Sequence, residues 1–213
     1  MAASPQKVSE STVRRLSLYL RFLEEFEEKG VTTVSSEELA GRGGTTAAQV
    51  RKDLSIFGSF GKRGLGYAVP LLGREIRRIL GLSRSWRVAL VGAGRIGAAL
   101  FEYPNFRTRG FRIVTVLDHD PKKVGRLWDG TRIRHVDTLE ETLRETKVDI
   151  AILAVPEEVV QDVVDRVVSV EIKAILNFAP TQLRVPNDVV VNDVNMAMEL
   201  EALSFALVNR ALR

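Results

Sequence analysis

A glycine-rich turn and a later carboxylate define the first chemistry available to this chain. Gly92-Ala93-Gly94-Arg95-Ile96-Gly97 follows the apolar run Val88–Val91 and leads into Ala98, Ala99 and Leu100. Between a buried strand and a helix, such a Gly-x-Gly-x-x-Gly turn offers a pyrophosphate backbone N–H groups and the positive end of a helix dipole. Gly92 permits the tight turn, Gly94 lets phosphate approach bare backbone, and Gly97 lets the helix lie close to the strand. Asp118 closes a second apolar run, Phe111–Leu117, and stands 26 residues beyond Gly92. A carboxylate there accepts both hydroxyls of an adenine ribose and repels a 2′-phosphate, so NAD and NADH are the expected cofactors. Ala154-Val155-Pro156 and Asn177-Phe178 end two further apolar runs. Ligands of open α/β sheets sit beyond the carboxyl ends of the strands, which places these residues along the ribose–nicotinamide part of the cleft. Taken singly, each is equally a proline turn that ends a strand.

A second set of residues points to a polyanion. Residues 42–78 hold eight basic and two acidic side chains, a net +6, whereas residues 84–213 carry no net charge. A localised basic field suits nucleic acid, although charge alone also describes a solvated face. Thr45 or Thr46 caps a helix running to about Phe57, with Val50, Leu54 and Phe57 inward and Gln49, Arg51 and Lys52 outward. Ser35-Ser-Glu-Glu38 is a capping box for the short helix before it. Helix, turn, helix with a basic outer face is the helix-turn-helix pattern, whose second helix reads the major groove of double-stranded DNA. Four glycines then fall within Gly58–Tyr67, around a basic tip of Lys62 and Arg63. This reads as a wing, with Ser59, Gly64 and Tyr67 beside that tip and the minor groove as its target.

The elements that must hold these residues follow the same order. Leu16, Tyr19, Leu20, Leu23 and Phe26 recur at helical spacing from Ser11 to Lys29. Pro70 opens a connecting helix to Leu80, and Gly81–Ser85 reads as a boundary. Beyond it, six strands alternate with helical patterns: near Val88–Val91, Arg112–Asp118, Arg132–Val136, Asp149–Val155, Ala174–Phe178 and Val189–Val191. That rhythm predicts a doubly wound parallel Rossmann sheet. Asp137 or Thr138 is the expected cap of the helix reaching Glu145. The expected class is α/β: a winged-helix domain over 1–80, a Rossmann NAD(H)-binding domain over 84–194, and a dimerisation helix over 195–213. That last helix is apolar on most sides, so burial against a second copy is expected, as a homodimer.

Composition narrows the rest. The 213 residues include no cysteine and two histidines. Thiolate chemistry and disulfides are therefore excluded, no metal site is expected, and redox sensing would need a bound cofactor. No run has the length of a membrane span, and the expected location is the cytoplasm. An NAD-dependent oxidoreductase with an accessory N-terminal domain is the rival reading. It wants a general acid/base near the nicotinamide. His119 falls at the adenosine end and His135 in a strand, so no catalytic residue is assigned.

The chain resembles the Rex family of redox-sensing transcriptional repressors over nearly its whole length. The match rests on Gln49-Val-Arg-Lys-Asp-Leu-Ser55, Gly61-Lys-Arg-Gly-Leu-Gly-Tyr67, the Gly92–Gly97 turn, Tyr103-Pro104, Gly125, Ile172-Lys173, Ile175-Leu-Asn-Phe-Ala-Pro180 and Glu199-Leu200. The resemblance implies a homodimer on palindromic operator DNA, released when NADH binds, with the terminal helix exchanged between subunits. It also implies a place near the cofactor for Tyr103. Two positions depart from the family pattern. Ile56 replaces an aromatic residue, and Asn195 replaces an aspartate that can pair with an N-terminal arginine, for which Arg15 is the matching position.

Overall fold

The structure, a computed structural model, describes residues 8–62 and 64–210. Contacts divide the chain into two compact units, the first ending at Arg84 and the second beginning at Ser85.

In the N-terminal unit, α1 (Glu10–Glu28) starts at Ser9, whose hydroxyl accepts the Thr12 N–H, and buries Leu16, Tyr19, Leu20 and Leu23. After the two-residue strand β1 (Thr33–Val34), α2 (Ser36–Gly43) begins with the complete Ser35/Glu38 capping box. Gly44, in the left-handed region, ends it. Thr46, rather than Thr45, caps α3 (Ala47–Ser55), accepting the Gln49 N–H. This helix stops two residues short of Phe57, with Ile56 at its C-cap. Next come β2 (Gly61–Lys62) and β3 (Gly66–Ala68), then α4 (Val69–Ile79) with proline in its first turn. The strands form a sheet of order β1-β3-β2, antiparallel throughout. The wing is thus a hairpin braced by a strand that its own sequence does not announce. One cluster, including Leu16, Tyr19, Val50, Leu54, Leu72 and Ile76, forms the core.

The C-terminal unit is built on β4 (Trp86–Val91), whose last four residues are buried. It continues through α5 (Arg95–Phe101), α6 (Pro104–Thr108), β5 (Phe111–Asp118), β6 (Leu127–Trp128) and β7 (Thr131–His135). Then follow α7 (Leu139–Glu145), β8 (Ile150–Leu153), α8 (Glu157–Ser169), β9 (Ala174–Asn177), β10 (Val190–Asp193) and α9 (Met196–Arg210). The sheet order is β10-β9-β8-β4-β5-β7-β6, with β6 antiparallel on the edge and the other pairs parallel. Numbered by appearance, the six parallel strands run 3-2-1-4-5-6, the doubly wound order whose switch point lies between β4 and β8. Apolar clusters cover both faces of the sheet, as a parallel sheet requires.

The cap before α7 differs from expectation. A single 3₁₀ turn, Val136–Thr138, precedes the helix, and His135 Nδ1 accepts the Asp137 N–H at its start. Thr138 holds the N-cap position of α7, but its hydroxyl donates to the His135 carbonyl at 2.9 Å and caps no helix N–H, while Asp137 lies inside the extra turn. No helix among the described residues is long and apolar enough to cross a membrane.

Candidate functional site

In the C-terminal unit, register assembles the candidate cofactor residues. Val91 is level with Leu117 and with Leu153, and Leu153 with Asn177. Bonds at the next step continue the row: Gly92 N–H to Leu117 O, Ala154 N–H to Val91 O and Phe178 N–H to Leu153 O, at 2.8–2.9 Å. Gly92, Asp118, Ala154–Pro156 and Asn177–Phe178 therefore line one carboxyl edge, although they are far apart in sequence. The turn is tightly folded. Gly92 has φ +102°, and a Cβ there would stand 2.3 Å from the Ala154 carbonyl oxygen. A Cβ on Gly97 would stand 2.0 Å from the Gly92 carbonyl oxygen. Around Gly94 a Cβ would meet nothing within 4 Å, which is the open approach that a phosphate needs. Ala93 is buried, whereas Arg95 and Ile96 are exposed on the first turn of α5, where N–H groups have no intrahelical partner.

Asp118 is 5% exposed. Its Oδ2 accepts the Ala93 N–H at 2.7 Å and the Lys123 ammonium at 3.2 Å, and its Oδ1 accepts the Asp120 N–H at 2.8 Å. Burial alone would raise this carboxyl's pKa. The N–H groups of Asp120 and Ala93 and the Lys123 ammonium outweigh burial and hold it below the usual carboxylate range. The acid is thus ionised and aimed by the glycine turn itself. Lys123, the second lysine of Asp118-His-Asp-Pro-Lys-Lys123, is a contributor that no sequence pattern singles out.

Two candidates have other placements. Asn177 is fully buried, and its amide is bonded to Ala179, Thr181 and Asp193. It shapes the loop after β9 rather than presenting its amide to a ligand. Tyr103 precedes α6, packs edge-on against Phe106 and accepts the Asn105 amide, so strand register does not position it.

In the N-terminal unit, Arg51, Ser59, Gly64 and Tyr67 line one cleft of about 790 Å³ between the hairpin and α2–α3. The Arg51 guanidinium is tethered there by Ser36 Oγ at 2.8 Å and Glu37 Oε1 at 3.2 Å. Thr46, Gln49 and Lys52 lie outside that lining. Thr46 and Lys52 are exposed; Thr45 and Gln49 are half-buried. Arg63 and the side chain of Lys62 lie outside the described residues.

Behind α3 is a second buried acid. Asp53 is 1% exposed and takes a bidentate bond from Arg15 at 2.6 and 2.8 Å, with Tyr19 Oη at 3.0 Å and Gln49 Nε2 at 2.8 Å. Burial would raise its pKa, but Arg15, Gln49 and Tyr19 together lower it. Burial and the bond to Asp53 push the Tyr19 phenol up to about 12. Arg15, the position that matches the family's N-terminal arginine, has its guanidinium held by Asp53. Asn195 has a local role, with Oδ1 accepting the N–H groups of Ala197 and Met198 to cap α9.

Comparison with known proteins follows the same two-part division. A family model described as "CoA binding domain" matches residues 83–181, and one described as "Putative DNA-binding protein N-terminus" matches residues 7–55. The redox-sensing transcriptional repressor Rex of Carboxydothermus hydrogenoformans is 49% identical over 93% of this chain and 96% of its own length. That of Thermus thermophilus is 49% identical over 95% of each. A crystal structure of RSP with β-NAD+ and operator DNA aligns with TM-score 0.92 and 37% identity, covering 97% of this chain and 95% of that one. RSP in complex with β-NADH aligns with TM-score 0.88 and 36% identity, covering 97% of each. A further RSP structure describes it as a Rex-family repressor.

Proposed function

The chain belongs to the Rex family of redox-sensing transcriptional repressors, and on that premise we propose that its N-terminal unit binds operator DNA while its C-terminal unit binds NAD(H), with NADH favouring release. It is a repressor rather than an enzyme, as its relatives are named.

The ionised Asp118 beside the glycine turn carries the cofactor assignment. It would take the adenine ribose hydroxyls, while the backbone around Gly94 and the first turn of α5 would receive the pyrophosphate. Ala154–Pro156 and Phe178 would flank the nicotinamide half, with Asn177 holding the loop. Tyr103 enters only through the family resemblance. On the DNA side, α3 would lie in the major groove, with Thr46, Gln49, Arg51 and Lys52 toward the duplex and Thr45 at its rim. Ser59, Lys62, Arg63, Gly64 and Tyr67 would follow the minor groove and its phosphates. Phosphate contacts set position and base-edge contacts choose sequence.

Partnership follows from α9. Met198, Leu200, Leu203, Phe205, Leu207 and Val208 are each at least 61% exposed in the single chain. So much apolar surface on one helix calls for a cover, and a second copy making a homodimer on a palindromic operator supplies it. Such a repressor would work in the cytoplasm. NADH would prefer the dimer geometry in which the two α3 helices no longer match successive grooves. A full switch from 1:99 to 99:1 needs a differential affinity of about 10⁴, roughly 5.5 kcal/mol, which two cofactors could share.

Fluorescence anisotropy of a palindromic operator duplex, titrated with NADH and with NAD+ at fixed salt, tests this reading. Affinity should fall with NADH and hold with NAD+. An operator affinity indifferent to saturating NADH would overturn it.

A further inference from the structure

Gln49 occupies the first turn of α3, the part of a recognition helix that meets base edges. A primary amide can present either of two edges, and the two read different bases. In this chain one edge is already committed. Gln49 Nε2 donates to Asp53 Oδ1 at 2.8 Å. The reverse orientation would set the amide oxygen against a carboxylate that Arg15 keeps ionised through a bidentate bond. Like dipole against charge excludes it.

The Asp53 oxygens are otherwise occupied by Arg15 and Tyr19, so the carboxylate cannot turn away to accommodate a flipped amide. Gln49 Oε1 accepts no hydrogen bond among the described residues, so it stays available with the second Nε2 hydrogen beside it. An acceptor next to a donor is the edge that pairs with adenine N6 and N7 in the major groove. Guanine offers two acceptors, N7 and O6, and would meet oxygen against oxygen.

We propose that Asp53 is a positioning residue for base readout: by fixing the Gln49 amide it makes α3 select adenine over guanine at one position in each operator half-site. This rests on α3 being the helix that enters the groove. An uncharged asparagine in place of Asp53 both donates and accepts, so it would let Gln49 present either edge. The Asp53→Asn variant should then bind adenine-bearing and guanine-bearing sites nearly equally. The wild-type chain should prefer adenine by about tenfold or more, the discrimination of a good bidentate pair.

The test uses the full-length chain and a pool of duplexes with a randomised core, followed by anisotropy on single-base variants of the selected duplex. Asp53→Asn should relax one symmetric pair of positions and leave the others unchanged. In a Gln49→Ala background, Asp53→Asn should have no further effect on that pair. A uniform loss of affinity across all variants would mean that Asp53 only supports the fold, and would overturn the inference. Gln49→Ala with an unaltered base preference would overturn it too, and does not depend on Asp53→Asn folding. Failure of the wild-type chain to select any sequence would instead count against α3 as the reading helix.

Discussion

The two buried aspartates, one in each unit, are held in opposite ways. Asp53 is enclosed by side chains: a guanidinium, a phenol and an amide converge on it from α1 and α3. Asp118 is held mainly by backbone, with two N–H groups from the loops at the strand ends and one partly exposed ammonium. Both carboxyls are shifted down despite burial. The first is a closed network that fixes a helix and one amide on its surface. The second accepts three bonds rather than four, two on Oδ2 and one on Oδ1, which leaves an acceptor position open on Oδ1 at the sheet edge where ligands of this fold sit. A buried charge with every position filled organises structure; one with a position left over can organise a ligand.

Several substitutions would break or sharpen that contrast. The largest effect is expected at the turn that carries the second site. Gly97→Val places a side chain against the Gly92 carbonyl, and backbone cannot move as a side-chain tip can. The cost should reach or exceed about 3 kcal/mol, the upper part of the overpacking range. Thermal unfolding should show it, with loss of NADH fluorescence enhancement; near-native behaviour in both would mean that the turn is loose. Asp53→Ala comes next. It leaves three donors without their acceptor, and Arg15 is only about a quarter exposed, so a loss of about 3 kcal/mol is expected in denaturant melts.

Asp118→Ala should act on function more than on stability. Losing charged hydrogen bonds to the ribose should weaken NADH binding by about ten- to a hundredfold by calorimetry. Operator binding without cofactor should be retained, and unchanged NADH affinity would remove Asp118 from the site.

Titration separates the two acids further. Each has a lowered folded pKa, so the stability it confers is present above the ordinary carboxylate range and is lost as pH falls through the folded value. The N-terminal unit alone should also have an alkaline limb. The Tyr19 phenol, at about 12, confers stability that is complete below its ordinary value near 10 and is lost as pH rises through about 12. Far-ultraviolet circular dichroism against pH should show this limb in wild type and a smaller one in Tyr19→Phe, where Tyr67, also pushed up by burial, remains. The smallest effect is expected at Glu140, which the Arg166 guanidinium holds at about 2. Both side chains are about a third exposed, so Glu140→Gln should cost no more than about 1 kcal/mol.

Much of this was legible in the chain because it depended on near neighbours. The capping box at Ser35–Glu38, the proline opening α4, the glycine turn and the alternation of apolar runs are local patterns with local causes. Asp118 was legible too, because a fixed distance separates it from the turn in this fold. The partners of both acids were hidden. Gln49 and Asp53 stand four apart on one helix, yet nothing local marks Asp53 as buried. Its environment is made by Arg15 and Tyr19, 38 and 34 residues away. Strand β1 was equally unreadable, since two residues have no periodicity and owe their conformation to pairing with β3.

Within the sequence itself, side-chain pattern and backbone preference were enough to mark the long helices, the six parallel strands and the main turns, and the chemical groups that each carries, but not a two-residue strand such as β1. Tertiary structure alone decided which of those groups meet. Parallel register set Gly92 beside Ala154 and Asn177 level with Leu153, and the packing of α1 on α3 converted an ordinary surface pair, Gln49 and Asp53, into a fixed amide on a buried charge. Contacts across such separations depend on how whole elements pack, which no short stretch of the chain encodes.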